Sequence, residues 1–261
     1  MMGDKTVMSP PTRLERTLVT RGYEMNATAQ IPPSTFSRYL EHLRWQTMAD
    51  PAYPLRAYWK RGVIRAQRLE LFQRVQFDEE LVLMAWLGRV GRTSLEFAHR
   101  IVRKSDGVLV ARASATGVNL GGDGRPQPLD EAVRAFVTDG EEPDAPALGE
   151  DAPPNAWSRE LVVCPSDQDV LQHANQARYM DWVEDTRWLA ARADGYGAHS
   201  PSAERPARRI HVEYRREVKA GTRIRILTWS LGSDPAAFGF ELRRAEDGEL
   251  LTRARVEVGA E

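Results

Sequence analysis

The chain has little from which to build a covalent or metal-centred scaffold. One cysteine, Cys164, stands among 261 residues. That excludes internal disulfides and multi-cysteine metal sites. A lone thiol fits a reducing compartment, so a cytoplasmic location is expected. Lysine is scarce as well: Lys5, Lys60, Lys104 and Lys219 are the only ones among 36 basic residues. Neither sign of charge dominates. Set against 37 acidic residues, the formal net charge is −1, which argues against a general nucleic-acid binder. No apolar run reaches the roughly 18 residues of a membrane helix. Met1–Pro11 lacks the apolar core of a signal peptide. His42, His99, His199 and His211 show no metal-ligand spacing. No metal and no cofactor are expected. What is present is 42% hydrophobic residues, enough at this length for two small domains or one large one.

The most informative feature is an internal repeat. Arg38-Tyr39-Leu40-Glu41 resembles Arg178-Tyr179-Met180-Asp181, 140 residues later. LELFQRVQFDEELVLMAW (69–86) matches VEYRREVKAGTRIRILTW (212–229), with Trp86 over Trp229. FAHRIVRKSDGVLVARA (97–113) matches FELRRAEDGELLTRARV (240–256), with Asp106-Gly107 over Asp247-Gly248. Both Asp-Gly pairs sit between apolar alternations, a strong hairpin signal. Each repeat reads as strand, loop, helix, then a run of strands. The first helix should begin near Ser34, with Phe36, Tyr39, Leu40, Leu43 and Met48 as its apolar stripe. The second should begin at Asn175, with Ala177, Met180, Val183, Trp188 and Leu189 facing inward. Residues 128–136 read as a short closing helix. The domain limits are a flexible tail over 1–13, a first domain over 14–137, an acidic Pro/Ala-rich linker over 138–156 and a second domain over 157–261. Loops 49–62 and 194–208 fall at the same place in each repeat. GVNLGGDGRP (117–126) lacks the lysine of a phosphate loop and reads as a turn. Cys164, in LVVCP, is expected to be a buried strand residue.

Two segments carry a family resemblance: SDQDVLQHANQARYMDW (166–182) and VEYRREV (212–218). They are similar to the second half of plant-type acyl-ACP thioesterases. RGYEMNATAQIPPSTFSRYLEHL (21–43) resembles that family's opening segment. The resemblance covers the chain beyond its N-terminal tail. It implies an α+β fold: a tandem double hotdog, each domain a long helix wrapped by an antiparallel sheet. It also implies hydrolysis of an acyl-ACP or acyl-CoA thioester to free acid and thiol. Acyl carrier protein or coenzyme A would be the partner, within fatty-acid or lipid metabolism. The two domains would form a pseudo-dimer within one chain, with a further homodimer left open.

On the same resemblance Asp169 is the general base or nucleophile. His173 orients water, and Glu217 is a second carboxylate contacting the water or His173. Without it, Asp169 is a loop aspartate capping a helix, His173 a helix-start histidine and Glu217 a strand carboxylate paired with arginine. If VEYRREV is a continuous strand, Glu217 shares a face with Glu213. Asn175 is read as structural. The loop 169–174 runs into a helix start, where free backbone amides can hold an oxyanion. The amides of Leu171, Gln172 and His173 are the candidates. Laying 26–40 over 166–180 sets Ala29, Ile31 and Pro33 opposite Asp169, Leu171 and His173. Arg74 stands opposite Glu217, so the first copy lacks all three titratable groups and is left to line an acyl pocket or complete the inter-domain interface.

Two positions depart from the family. Leu171 stands where it has asparagine, and Val218 where it has cysteine. Leu171 favours a second reading, a catalytically weak acyl-binding or carrier-protein-interacting module. A third is another hotdog chemistry in a fatty-acid or polyketide pathway, although no His–Asp pair split across the domains is seen. Trp45, Trp182 and Trp188 are read as core rather than pocket walls. The Arg-rich stretch 205–216 is either a solvated face or a contact for carrier or coenzyme phosphates.

Overall fold

The computed structural model describes residues 13–49, 55, 58, 62–140, 142–232 and 236–259. Most of the proposed flexible tail and most of loop 49–62 lie outside these residues. Arg13 already belongs to a strand.

The first repeat contributes β1 (Arg13–Val19), α1 (Pro33–Ala49), β2 (Gly62–Leu71), β3 (Glu80–Val90), β4 (Ser94–Arg103) and β5 (Leu109–Asn119). The second contributes β6 (Trp157–Val162), α2 (Gln176–Arg192), β7 (Ala207–Tyr214), β8 (Arg223–Ser230), β9 (Ala237–Arg244) and β10 (Leu250–Val258). All ten strands form one antiparallel sheet in the order β1-β3-β4-β5-β2-β7-β10-β9-β8-β6. The order is symmetric about its centre: each strand of one half holds the mirrored position of its repeat counterpart in the other. The halves are stitched by β2 and β7, with Ala66 opposite Glu213 and Glu70 opposite Arg209. This is the expected tandem layout.

Each helix supplies the core stripe its sequence spells. In α1, Phe36, Tyr39, Leu40 and Leu43 are buried at i, i+3, i+4 and i+7. Pro33 opens this helix, one residue before the expected start; its missing N–H would be unpaired there anyway. In α2 the buried residues include Ala177, Tyr179, Met180, Trp182, Val183 and Thr186. Trp188 and Leu189, expected inside, are exposed instead. They fall on the outer side of the helix, where Trp188 lies under Arg192 with 5.4 Å from guanidinium to ring. The three tryptophans read as core therefore part company: Trp182 is core, Trp188 is surface and Trp45 lines a cavity.

The two Asp-Gly hairpins are built alike. Asp106 Oδ1 accepts the Val108 N–H and Asp247 Oδ1 accepts the Glu249 N–H. Gly107 and Gly248 hold φ of 70° and 74°. The closing segment is a 3-10 turn over Glu131–Phe136, capped by Asp130. The linker has no regular structure, yet it is fastened to the second half. Asp144 bonds Arg209, the Pro146 and Ala147 carbonyls meet His211 and Arg255, and Asp151 bonds Arg253. It thus straps β7 and β10.

Cys164 is exposed, not buried. β6 alternates outward and inward, Val163 turns into the core, and the next residue must face water. No helix among the described residues is long and apolar enough to cross a membrane.

Candidate active site

The site begins in the loop ahead of α2. The Asp169 N–H donates to the His173 carbonyl at 2.9 Å, and the Gln172 N–H donates back to the Asp169 carbonyl at 3.0 Å. Gln172 takes a φ of 63° to close this turn. The Leu171 N–H donates to Asp169 Oδ1 at 2.8 Å, fixing the carboxylate. The next residue, Ala174, donates its N–H to the Val218 carbonyl at 2.7 Å. That bond lays the loop against the chain leaving β7, so the neighbours of the two bonded residues meet. His173 Nε2 and Glu217 Oε2 are 3.0 Å apart.

Two expectations change here. Glu217 does not share a strand face with Glu213, because β7 ends at Tyr214. The Arg215 and Arg216 N–H groups both donate to the Leu251 carbonyl, which breaks the ladder and frees the chain to turn. Of the three amides proposed for an oxyanion, those of Leu171 and Gln172 are already used within the loop. The His173 N–H has no acceptor among the described residues.

Asn175 is the N-cap of α2. Its Oδ1 accepts the Ala177 N–H at 2.8 Å. Its Nδ2 donates to both carboxylate oxygens of Glu41 on α1, at 2.9 and 2.8 Å. The structural role read from the sequence therefore extends across the two repeats.

Asp169, His173 and Glu217 all line one cavity of about 720 Å³. Its apolar wall comes from the first repeat, including Met48, Leu55, Ile64, Leu95 and Phe97. Tyr179 and Tyr214 stand between the halves, ring edge to face with centroids 5.1 Å apart. Burial pushes both hydroxyls well above the usual tyrosine range, and for Tyr179 the charges of Glu217 and Asp169 add to it. Both therefore stay protonated at neutral pH. The Tyr214 hydroxyl donates to the Gln176 carbonyl at 3.1 Å. The Gln176 side chain, also on the cavity wall, has both amide atoms buried without partners. The sequence reading missed Gln176, the tyrosine pair and Glu41. Nothing in the spacing marks them, since each borders the cavity only once the two repeats are joined.

The structure also corrects the repeat register over the helices. α1 starts at residue 33 and α2 at residue 176, 143 apart, not 140. The loops agree: the Thr28 N–H bonds Asn26 Oδ1 as the Leu171 N–H bonds Asp169 Oδ1. Ala29 and Gln172 share the left-handed conformation. Asn26 thus stands opposite Asp169 and Gln30 opposite His173, replacing the Ala29, Ile31 and Pro33 pairing. Arg74 remains opposite Glu217. The first copy still lacks the titratable groups, with amides in place of the acid and the imidazole.

Residues 163–260 match the model of the thioesterase-like superfamily. The match falls within the second repeat. No curated protein sequence matches the chain. Among solved structures, the 12:0-ACP thioesterase of Umbellularia californica superposes with a TM-score of 0.79. It shows 18% identity, over 96% of this chain and 95% of that one. An acyl-ACP thioesterase from Bacteroides thetaiotaomicron gives 0.77 at 15% identity, over 95% and 98%. At these identities the likeness establishes the fold, an α+β double hotdog. The matched segment is the one that holds Asp169, His173 and Glu217. Among the described residues no cluster of His, Cys, Asp and Glu is placed to hold a metal ion.

Proposed function

We propose that the chain hydrolyses an acyl thioester to a free acid and a thiol, with the acyl group on acyl carrier protein or coenzyme A. One observation carries this reading. A carboxylate and a His–Glu pair from the second repeat line a largely apolar cavity whose wall belongs to the other repeat. The two halves act as a pseudo-dimer in which one holds the acyl chain and the other the chemistry.

A thioester carbonyl facing the loop would place its developing oxyanion at the His173 N–H, at the positive end of α2. Asp169, held by the Leu171 N–H, activates water or attacks the carbonyl. Attack by water forms the C–O bond and a tetrahedral oxyanion, whose collapse breaks the C–S bond; attack by Asp169 instead expels the thiolate to leave a mixed anhydride, which water then cleaves to the free acid. The proton passes through Asp169 or the His173–Glu217 pair to the leaving thiolate. Arg65, Arg215 and Arg216 line the cavity, the last two paired with Glu213 and Glu249, and offer N–H donors for a carrier or coenzyme phosphate. The Leu171 side chain favours the second reading, an acyl-binding protein with weak turnover. It places an aliphatic group on the cavity wall where the resembling family has an amide.

The test is thiol release from a panel of acyl-CoA and acyl-ACP thioesters, comparing wild type with Asp169→Asn. Release that falls at least ~10²-fold in the variant supports the assignment. No release by wild type from any member of the panel removes the hydrolase reading and leaves acyl binding.

A further inference from the structure

The cavity contains a cation that the proposed chemistry does not use. Arg44, on α1, lines it and is 2% exposed. Among the described residues it forms no hydrogen bond and no ion pair, and its Nη1 is buried with no partner. Burial lowers its pKa to about 10, so it stays charged at neutral pH. An unpaired buried charge is among the costliest features a fold can carry.

The repeat supplies an internal comparison. Arg187 occupies the same position on α2, 143 residues on, and is also buried. Its guanidinium makes four hydrogen bonds. Nε and Nη2 bond Glu184 at 3.1 and 2.7 Å, and Nη1 bonds the carbonyls of Ala203 and Arg205. Arg44 has the matching acid, Glu41, three residues back. There, however, both carboxylate oxygens are taken by Asn175 Nδ2, and Trp45 Nε1 donates to one of them at 3.2 Å. The counterpart of Asn175 in the first repeat is Pro32, which cannot take Glu184 in the same way. Glu41 therefore acts on Arg44 only through space, without the direct ion pair that Glu184 makes with Arg187.

The place of Arg44 separates it from the reacting groups. The charge that acts on it is Glu41, and it acts in turn on the buried His99. Asp169 and Glu217 act instead on Tyr179, the other member of the tyrosine pair. Arg44 and Met48, one helical turn apart on α1, line the cavity from the first repeat, whereas Asp169 and Glu217 line it from the second.

Resting on the hydrolase reading above, we propose that the cavity selects acyl chains bearing a second carboxylate away from the thioester, with Arg44 as its counter-ion. A planar guanidinium pairs a carboxylate through two parallel hydrogen bonds, which a neutral chain end cannot offer.

The test compares ω-carboxyalkanoyl thioesters with alkanoyl thioesters of equal length, on wild type, Arg44→Met and Arg44→Lys. Wild type should favour the carboxylated chain at least tenfold in kcat/KM. Arg44→Met should collapse that ratio at least tenfold, and Arg44→Lys should restore part of it. Melting curves confirm folding, with Arg44→Gln as a second variant. A parallel arm uses Asp169→Asn and measures binding of free α,ω-dicarboxylates and monocarboxylates by calorimetry, with and without Arg44→Met. Thiol release with no preference for the carboxylated chain, or with a ratio unmoved by Arg44→Met, overturns the proposal and leaves the hydrolase standing. Dicarboxylates binding no better than monocarboxylates overturns it as well. Dicarboxylate binding that needs Arg44, with no thiol release, upholds the anion site and removes the hydrolase.

Discussion

Asn175→Asp would separate the two jobs that one side chain performs. Aspartate caps a helix about as well as asparagine, so the bond to the Ala177 N–H survives. The other end of the side chain then turns a carboxylate oxygen toward Glu41 in place of an amide N–H. The hydrogen bonds lost there involve a charged acceptor, a class contributing about 1.5–3 kcal/mol. Two unit charges at 4 Å repel by about 4 kcal/mol at an effective dielectric of 20. Both side chains are only half-buried, so screening cuts that to roughly half. Glu41 can also swing toward Arg44 and recover part of the loss. The net expectation is a deficit of about 3 kcal/mol at pH 7. Crowding two carboxylates raises the folded-state pKa of one above its unfolded value. The penalty is therefore present above that raised pKa and shrinks as pH falls through it. Urea unfolding of wild type and variant at pH 7 and pH 5 measures this directly. A variant as stable as wild type at pH 7, or a deficit that does not shrink on acidification, would refute the bridge.

Other residues give equally direct tests. Glu217→Gln keeps a hydrogen-bond acceptor beside His173 and removes the charge; kcat should fall about tenfold or more with little change in KM, and an unchanged rate in a thiol-release assay would remove Glu217 from the mechanism. Arg187→Met breaks a hydrogen-bonded buried fork and should cost about 3 kcal/mol or more in denaturant unfolding, whereas Arg44→Met, which removes an unpaired charge, should be neutral or stabilising. His99 is held neutral chiefly by burial, with Arg44 adding to the effect. Its folded pKa lies below the unfolded value near 6.5, so wild type should lose stability as pH falls below that value. His99→Phe should flatten this loss between pH 7 and pH 5, as read from urea midpoints.

Much of the architecture was legible because it is written twice. The Trp86/Trp229 and Asp-Gly matches marked the repeated strands and their hairpins, and Asn175 was identifiable as a cap from its residue type and place. The helix register was not legible, for a geometric reason. Sliding a helix by three residues turns its apolar face by only about 60°, so the Arg-Tyr-Leu-Glu and Arg-Tyr-Met-Asp match looked as good as the true one. A one-residue slip in a strand would have reversed every side chain, which is why the 143-residue offset of the strands held. The true helical match, Glu41 with Glu184 and Arg44 with Arg187, lay in charged residues that are ordinarily assigned to the surface. Cys164 failed differently: its neighbours are apolar, but strand alternation rather than local composition decides its side. The His173–Glu217 contact depends on the Ala174–Val218 hydrogen bond, which no spacing in the chain reveals.

The two halves of this sheet are not interchangeable, and the strand order makes that consequential. A pairing of two first halves would possess two apolar hollows and neither the acid nor the imidazole. A pairing of two second halves would possess both and lack the first repeat's hollow. Joining them in one polypeptide, with the connecting strap fastened over β7 and β10, fixes the stoichiometry at one of each. Under that constraint each half is free to lose what the other retains.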